Sequence, residues 1–418
     1  MMAGLGAAAL GPFSAAFAQV RPALQLEGNV ENLPLRVGSP ASPVWGLGNP
    51  DLRFKRGETV KVGWAGLAGD GHPAMLNWRG IDGAPEVGPL PLRFFKGTRP
   101  MPLRHAGTFL CDLALLGDGK TRPSRAYPLI VQESDPVPVD RDEVFLIEDW
   151  RVLPDGTAIA PGLDPKEAVP VHTVNGRISF EISVRTNERV RLRFLNACQR
   201  TVIAAKIEGY EVRVMAIDGQ PSEPFQARNG ALVLAPGSRT DVFIDVTTPA
   251  GTSTAILLHD GKEARPVGKI VVSGEPPIRP APLPQAPPLP SNGLPERIEL
   301  KGATRVELAL GVSQDWVTPA SFTETAAPDF RAKRDRTVVL ALTNRAAIAT
   351  VFHLHGHHFR LLDRLDDGWK PFWLDTLAIE PGQTQRIAFR AEYPGRYLIE
   401  SVATEWAAPR LVRWYAVE

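Results

Sequence analysis

Short alternating runs of apolar and polar residues recur along this chain, each opened by a polar turn. Val60-Lys61-Val62 follows Arg56-Gly57-Glu58-Thr59. Val190 to Asn196 follows Thr186-Asn187-Glu188-Arg189, and Val338 to Asn344 follows Arg334-Asp335-Arg336-Thr337. A period of two puts successive side chains on opposite faces of a strand, so each run predicts a β-strand. The copies lie roughly 130 to 150 residues apart, the span of a domain and not of a solenoid repeat. Two further elements recur. Pro236-Gly237-Ser238-Arg239-Thr240-Asp241-Val242 is similar to Pro381-Gly382-Gln383-Thr384-Gln385-Arg386-Ile387, and Gly107-Thr108-Phe109 to Gly395-Arg396-Tyr397. The reading that accounts for all of them is three tandem β-sandwiches, at residues 19–139, 140–274 and 296–418. Between the last two, residues 275–295 are dense in proline and read as an extended, semi-rigid connector.

Composition narrows the picture. At 418 residues the chain is too long for one core, and its 40 prolines and 37 glycines favour a turn-rich, all-β architecture. A formal net charge of +1 gives no electrostatic reason for a nucleic-acid or anionic-membrane partner. Residues 1–18 end in Ala16-Phe17-Ala18 before Gln19, the pattern of a signal-peptide cleavage site, although the usual basic start is missing. That predicts export to the periplasm. No later stretch approaches about 20 apolar residues, so no transmembrane helix is expected. Cys111 and Cys198 fall in different sandwiches and carry no spacing signature. They read as two buried thiols, with an interdomain disulfide as the alternative.

The chemistry concentrates in Phe352-His353-Leu354-His355-Gly356-His357-His358-Phe359, which holds four of the eight histidines. Two histidines two apart on a strand share a face, and imidazole suits copper or zinc. No other segment offers a comparable cluster of His and Cys. His72, His105, His172 and His259 stand alone and read as surface or core residues.

Around that run the third repeat carries Trp373-Leu374-Asp375-Thr376, Pro381-Gly382 and Tyr393-Pro394-Gly395-Arg396-Tyr397. Together with His353-Leu354-His355-Gly356-His357 these resemble the C-terminal domain of multicopper oxidases. Glu148-Asp149-Trp150, Val174-Asn175-Gly176, Arg191 to Ala197, Ile217-Asp218-Gly219 and Ala235 to Arg239 resemble that family's second cupredoxin domain. Asn77-Trp78-Arg79-Gly80 and Gly107-Thr108-Phe109 resemble its first. The resemblance implies three cupredoxin-like Greek-key sandwiches, copper as cofactor and oxidase activity. Carried over position by position, it puts the family's copper ligands on side chains of other kinds. Those of the first domain fall on Asn77, Arg79, Asp112 and Ala114. The type-1 histidine falls on Thr350, and the His-Cys-His run on Glu400, Ser401 and Val402. The next type-1 histidine and the axial ligand fall on Trp406 and Leu411. Of the ten histidine ligands, only His353 and His355 remain.

A blue-copper centre needs a thiolate and two imidazoles. The expectation is therefore a non-catalytic envelope protein of this fold, with no catalytic residues and no cofactor. It would act as a monomeric scaffold or partner-binding module, its protein partner unidentified. It resembles the superfamily's copper-free, division-associated member exported by the twin-arginine route. Arg79 is expected to pair with Asp112 or Glu400, since a guanidinium fork suits a carboxylate. Val402, Trp406 and Leu411 are expected to fill the type-1 cavity. His353 and His355 are the residual metal candidates, and Glu400 and His357 are weaker ones. Two alternatives stand beside this reading: a copper-binding oxidoreductase, and a weak single-metal carrier using His353, His355, His357 and Glu400.

Overall fold

A computed structural model describes residues 23–67, 74–84, 98–115, 122–311, 316–323, 326–363 and 368–418. The segment read as a signal peptide, residues 1–18, lies outside them, as does His72. The described residues hold strands, two short 3-10 turns and no α-helix. They form six sheets, two from each of three successive stretches of chain. The recurring turn-and-strand element has the same place in each stretch. Its strand pairs in parallel with the first strand of its own sandwich: Val62 with Leu24, Val190 with Arg141, Val338 with Thr304. The Pro-Gly turns deliver the antiparallel neighbour, Val242 opposite Leu192 and Ile387 opposite Leu340.

Each sandwich closes over its own apolar cluster. Trp45, Trp64, Trp78 and Phe109 fill the first, Phe145, Leu192, Phe194 and Ile270 the second, and Leu340, Phe352, Phe389 and Tyr415 the third. Removal of this apolar surface from water is the main drive to fold. Cys111 and Cys198 are both buried and free, and burial raises both thiols well above their ordinary range.

Residues 275–295 contain no strand, and polar anchors pin them to the sandwiches. Arg189 donates to the Pro284 carbonyl (2.6 Å), and Arg56 to the Ser291 and Asn292 carbonyls. Ala286 and Leu289 bury against Met215 and Phe243. No helix of the described residues is long and apolar enough to cross a membrane.

Six strands position the groups described next. In the first sandwich, β1 (Ala74–Arg79) and β2 (Gly107–Leu115) pair antiparallel, with Asn77 opposite Asp112. In the third, β3 (Thr350–Leu354) lies between β4 (Thr376–Ile379) and β5 (Gly395–Ala403), and β5 pairs with β6 (Arg410–Val417). That register sets His353 opposite Glu400 and Val402 opposite Arg410.

Candidate functional site: the seam between the first and third sandwiches

Asn77 and Arg79 are two apart on β1, so both face the third sandwich. Arg79 reaches across it. Its Nε donates to Asp112 at 2.7 Å and its Nη2 to Glu400 at 3.2 Å. All three side chains are buried. Asn77 Nδ2 donates to the other Asp112 oxygen at 2.9 Å. Arg410 is the second cation here, 3.6 Å from both Asp112 and Glu400. Two guanidinium groups thus face two carboxylates. Burial alone would raise both acids, but the charges of Arg79 and then Arg410 hold them low, Glu400 well below the usual carboxylate range. A buried charge is tolerable only when paired: Arg79 is hydrogen-bonded to both acids, whereas Arg410 Nη1 faces them at 3.6 Å without a hydrogen bond.

The two histidines differ in what they have left to offer. His355 Nε2 lies 2.6 Å from Glu400 Oε1 and donates to it, because the acid is ionised. Both Glu400 oxygens are therefore engaged. His353 Nδ1 meets the Thr376 hydroxyl at 2.7 Å, and that hydroxyl gives its hydrogen to Asp375. His353 Nδ1 is then the donor, and Nε2 keeps a bare lone pair with no hydrogen-bond partner. Burial and the Arg79 charge push this ring well below its ordinary range. Arg79, Asp112, His353, Val402 and Arg410 line a cavity of about 30 Å³, room for about two waters.

His357 faces away from the seam. The Tyr415 hydroxyl donates to the His355 carbonyl, so His357 Nδ1 donates to that hydroxyl (2.8 Å), and its Nε2 accepts the Tyr393 N–H (3.3 Å). Neither ring nitrogen is open to a metal. Burial holds this imidazole down to about 4.

Next to the seam, Arg239 joins all three sandwiches. It grips Asp375 with two bonds (2.8 and 2.6 Å) and donates to the carbonyls of Thr108 and Asp218. Gly80 ends β1 against this group with φ +85°. A Cβ there would lie 2.3 Å from Arg239 Nη2, so the turn requires glycine.

The positions matched to a type-1 centre are packed within the third sandwich and against the second. Thr350 Oγ1 donates to Asn344 Oδ1 (3.1 Å), and Ser401 Oγ accepts the Gly311 N–H. Leu411 belongs to the core cluster. Trp406 Nε1 donates to the Ala160 carbonyl (3.1 Å), and Arg151 lies over the indole at 4.7 Å. Val402 lines the seam cavity, whereas Trp406 seals against the second sandwich. Ala114 pairs with Met75 in the register of β1 and β2, and its side chain lies outside the described set.

Sequence reasoning missed Arg410. Its position, directly before Leu411 on a strand of buried residues, was the available signal. It also missed a second cluster, at the junction of the three sandwiches. His358 Nδ1 lies 2.8 Å from Asp82 Oδ1, and His105 Nδ1 lies 3.3 Å from Asp82 Oδ2. All three are buried. Burial would lower His358, yet Asp82 raises it to about 9, whereas burial carries His105 down to about 4.

Three cupredoxin-like sandwiches with polar seams between them define the three-domain architecture of blue-copper oxidases, and the comparisons agree. Two profiles described as multicopper oxidase match residues 143–256 and 297–418. A multicopper oxidase of Mycobacterium tuberculosis is 23% identical over 414 residues, covering 84% of this chain and 77% of that one. Lac15 from a marine microbial metagenome superposes with a TM-score of 0.74 at 25% identity, covering 94% of this chain and 100% of that chain. A multi-copper oxidase from Pseudomonas thermotolerans gives 0.76 at 22% identity, over 94% and 98%. The chain belongs to the multicopper oxidase superfamily.

Proposed function

We propose that this chain is a copper-independent member of its family, a rigid three-sandwich scaffold that meets a protein partner in the cell envelope after export. The observation that carries the reading is Arg79, bonded at once to Asp112 and Glu400 in the seam that the resemblance matches to the copper cluster. Copper clusters are held by several open imidazole or thiolate donors. At the matched positions the donor set does not fit that need. His355 Nε2 is engaged by Glu400, guanidinium groups neutralise the carboxylates, and the acceptors left without a partner are one imidazole nitrogen, His353 Nε2, and one amide oxygen, Asn77 Oδ1. Ser401 replaces the thiolate, and Thr350 and Trp406 replace the imidazoles of the second centre. The ionic cross-links do mechanically what ligand bonds would otherwise do, holding the first sandwich to the third.

The test is copper loading followed by dialysis, metal quantification, an absorbance scan and turnover of a phenolic substrate. The expected result is no blue charge-transfer band and no oxidation. Several bound equivalents of copper with a blue band would overturn the reading. The scaffold role is tested by crosslinked recovery of a specific envelope protein, lost when surface residues and not seam residues are altered.

A further inference from the structure

We propose that Asp82, His105 and His358 bind one divalent transition-metal ion of borderline character, zinc(II) in its chemistry, at the junction of the three sandwiches. This site is separate from every position matched to a copper ligand.

The argument starts from an amide whose orientation is fixed. Asn292, in the connector, receives the Ala106 N–H on Oδ1 (2.9 Å) and donates from Nδ2 to the Ala106 carbonyl (2.8 Å). Its Nδ2 also donates to Gln220 Oε1 (2.9 Å), so Gln220 must turn Nε2 toward His105 Nδ1, 3.0 Å away. That nitrogen therefore accepts, and it carries no proton. Yet the same nitrogen faces an Asp82 oxygen at 3.3 Å. Two lone pairs confront each other in a buried place, an arrangement that calls for a cation between them.

His358 is already held as a metal-binding histidine is held. Its Nε2–H donates to the Asp218 carbonyl at 3.0 Å, which orients the ring and turns Nδ1 toward Asp82. The three ligand atoms lie within 4.8 Å of one another, so small side-chain shifts bring each to about 2.0–2.2 Å from a common point. Two imidazoles and one carboxylate suit zinc and its neighbours. A cavity of about 10 Å³ borders Asp82 and His358, just enough for a water as fourth ligand. Loading exchanges the His358 Nδ1 proton, released to solvent, and the Gln220 hydrogen bond for three metal–ligand bonds. The ion would fasten the first sandwich to the third from a second side.

The experiment uses the full chain, stripped with a chelator and titrated with zinc chloride by calorimetry and with cobalt(II) by visible absorption. Wild type is expected to take up one equivalent, with the intense visible bands of low-coordinate cobalt and a metal-dependent rise in melting temperature. His105→Gln leaves the Asp82–His358 pair in place, so it is the variant of choice, with His105→Phe as the second. Either should weaken binding by about a hundredfold or more, beyond the effect of a supporting residue. His353→Gln, which removes the open nitrogen in the seam, should leave binding unchanged. Failure of wild type to bind zinc or cobalt at millimolar metal overturns the proposal. So does equal affinity in a folded His105 variant, or loss of binding in His353→Gln. Zinc binding is colourless and uses other residues, so neither result bears on the copper-independent reading.

Discussion

The seam between the first and third sandwiches and the interior of the third are filled by opposite means. In the seam stand Arg79, Arg410, Asp112 and Glu400, charges placed to bond across a boundary. In the interior stand Thr350, Leu411 and a Trp406 that seals against the second sandwich, groups placed to occupy volume. On the proposed reading both regions match former copper positions. The difference follows from what each place needs. An interior is held together by its own strands and needs only close packing. A boundary between two sheets has no shared backbone ladder, and directional bonds fix the register of one body on the other.

The strongest way to break this comparison is Arg79→Met. It leaves Asp112 and Glu400 facing a single, more distant guanidinium in a buried place. Loss of one partner of a buried pair costs about 3–5 kcal/mol. Denaturant unfolding should show that loss, and adding Asp112→Asn and Glu400→Gln should recover much of it. A loss under about 1 kcal/mol would mean that the seam is wetter and weaker than its geometry implies.

Much of the fold is legible in the residues alone. The alternating runs and their turns point to the three sandwiches, and the repeat is one topological element, the strand that pairs in parallel with the first of its sandwich. Arg79 and its carboxylates are legible only through the resemblance, since nothing local marks them as facing. The junction cluster is not legible at all. Asp82 and His358 lie 276 residues apart, on loops that meet only because three bodies dock. A lone histidine in sequence looks the same whether it ends in solvent or against a carboxylate.

The next effect tests whether the interior of the third sandwich excludes charge as firmly as the seam retains it. His357 is held neutral by burial at about 4, against about 6.5 for an exposed imidazole. Its contribution is present in full above pH 6.5. It is lost as pH falls toward 4, because the unfolded ring takes up a proton that the folded one refuses. The loss is on the order of 3 kcal/mol. Urea midpoints at several pH values should fall with acid in wild type, and more shallowly in His357→Gln. Parallel profiles would show that this ring does not titrate between the two states.

Trp406→Phe asks how much of the interior plug is volume and how much is its bond to the second sandwich. The substitution keeps an aromatic ring and removes the donor to the Ala160 carbonyl. A loss of about 1–2 kcal/mol in thermal or chemical unfolding is expected. No loss would reduce Trp406 to filler.

Thr350→Val should do least, and for that reason it is the sharpest control on the whole contrast. The two side chains have the same shape, so the strand between β4 and β5 need not move. The hydroxyl donates to Asn344 Oδ1, but that oxygen also receives the Ala346 N–H at 2.9 Å, so the substitution orphans no acceptor. Removing one neutral hydrogen bond whose partner stays satisfied costs less than about 1 kcal/mol, and the extra apolar surface offsets part of it. If Thr350→Val instead destabilised the chain as much as Arg79→Met, the interior would depend on polar bonds as the seam does. The division between a charged boundary and a volume-filled interior would then fail where it is easiest to satisfy.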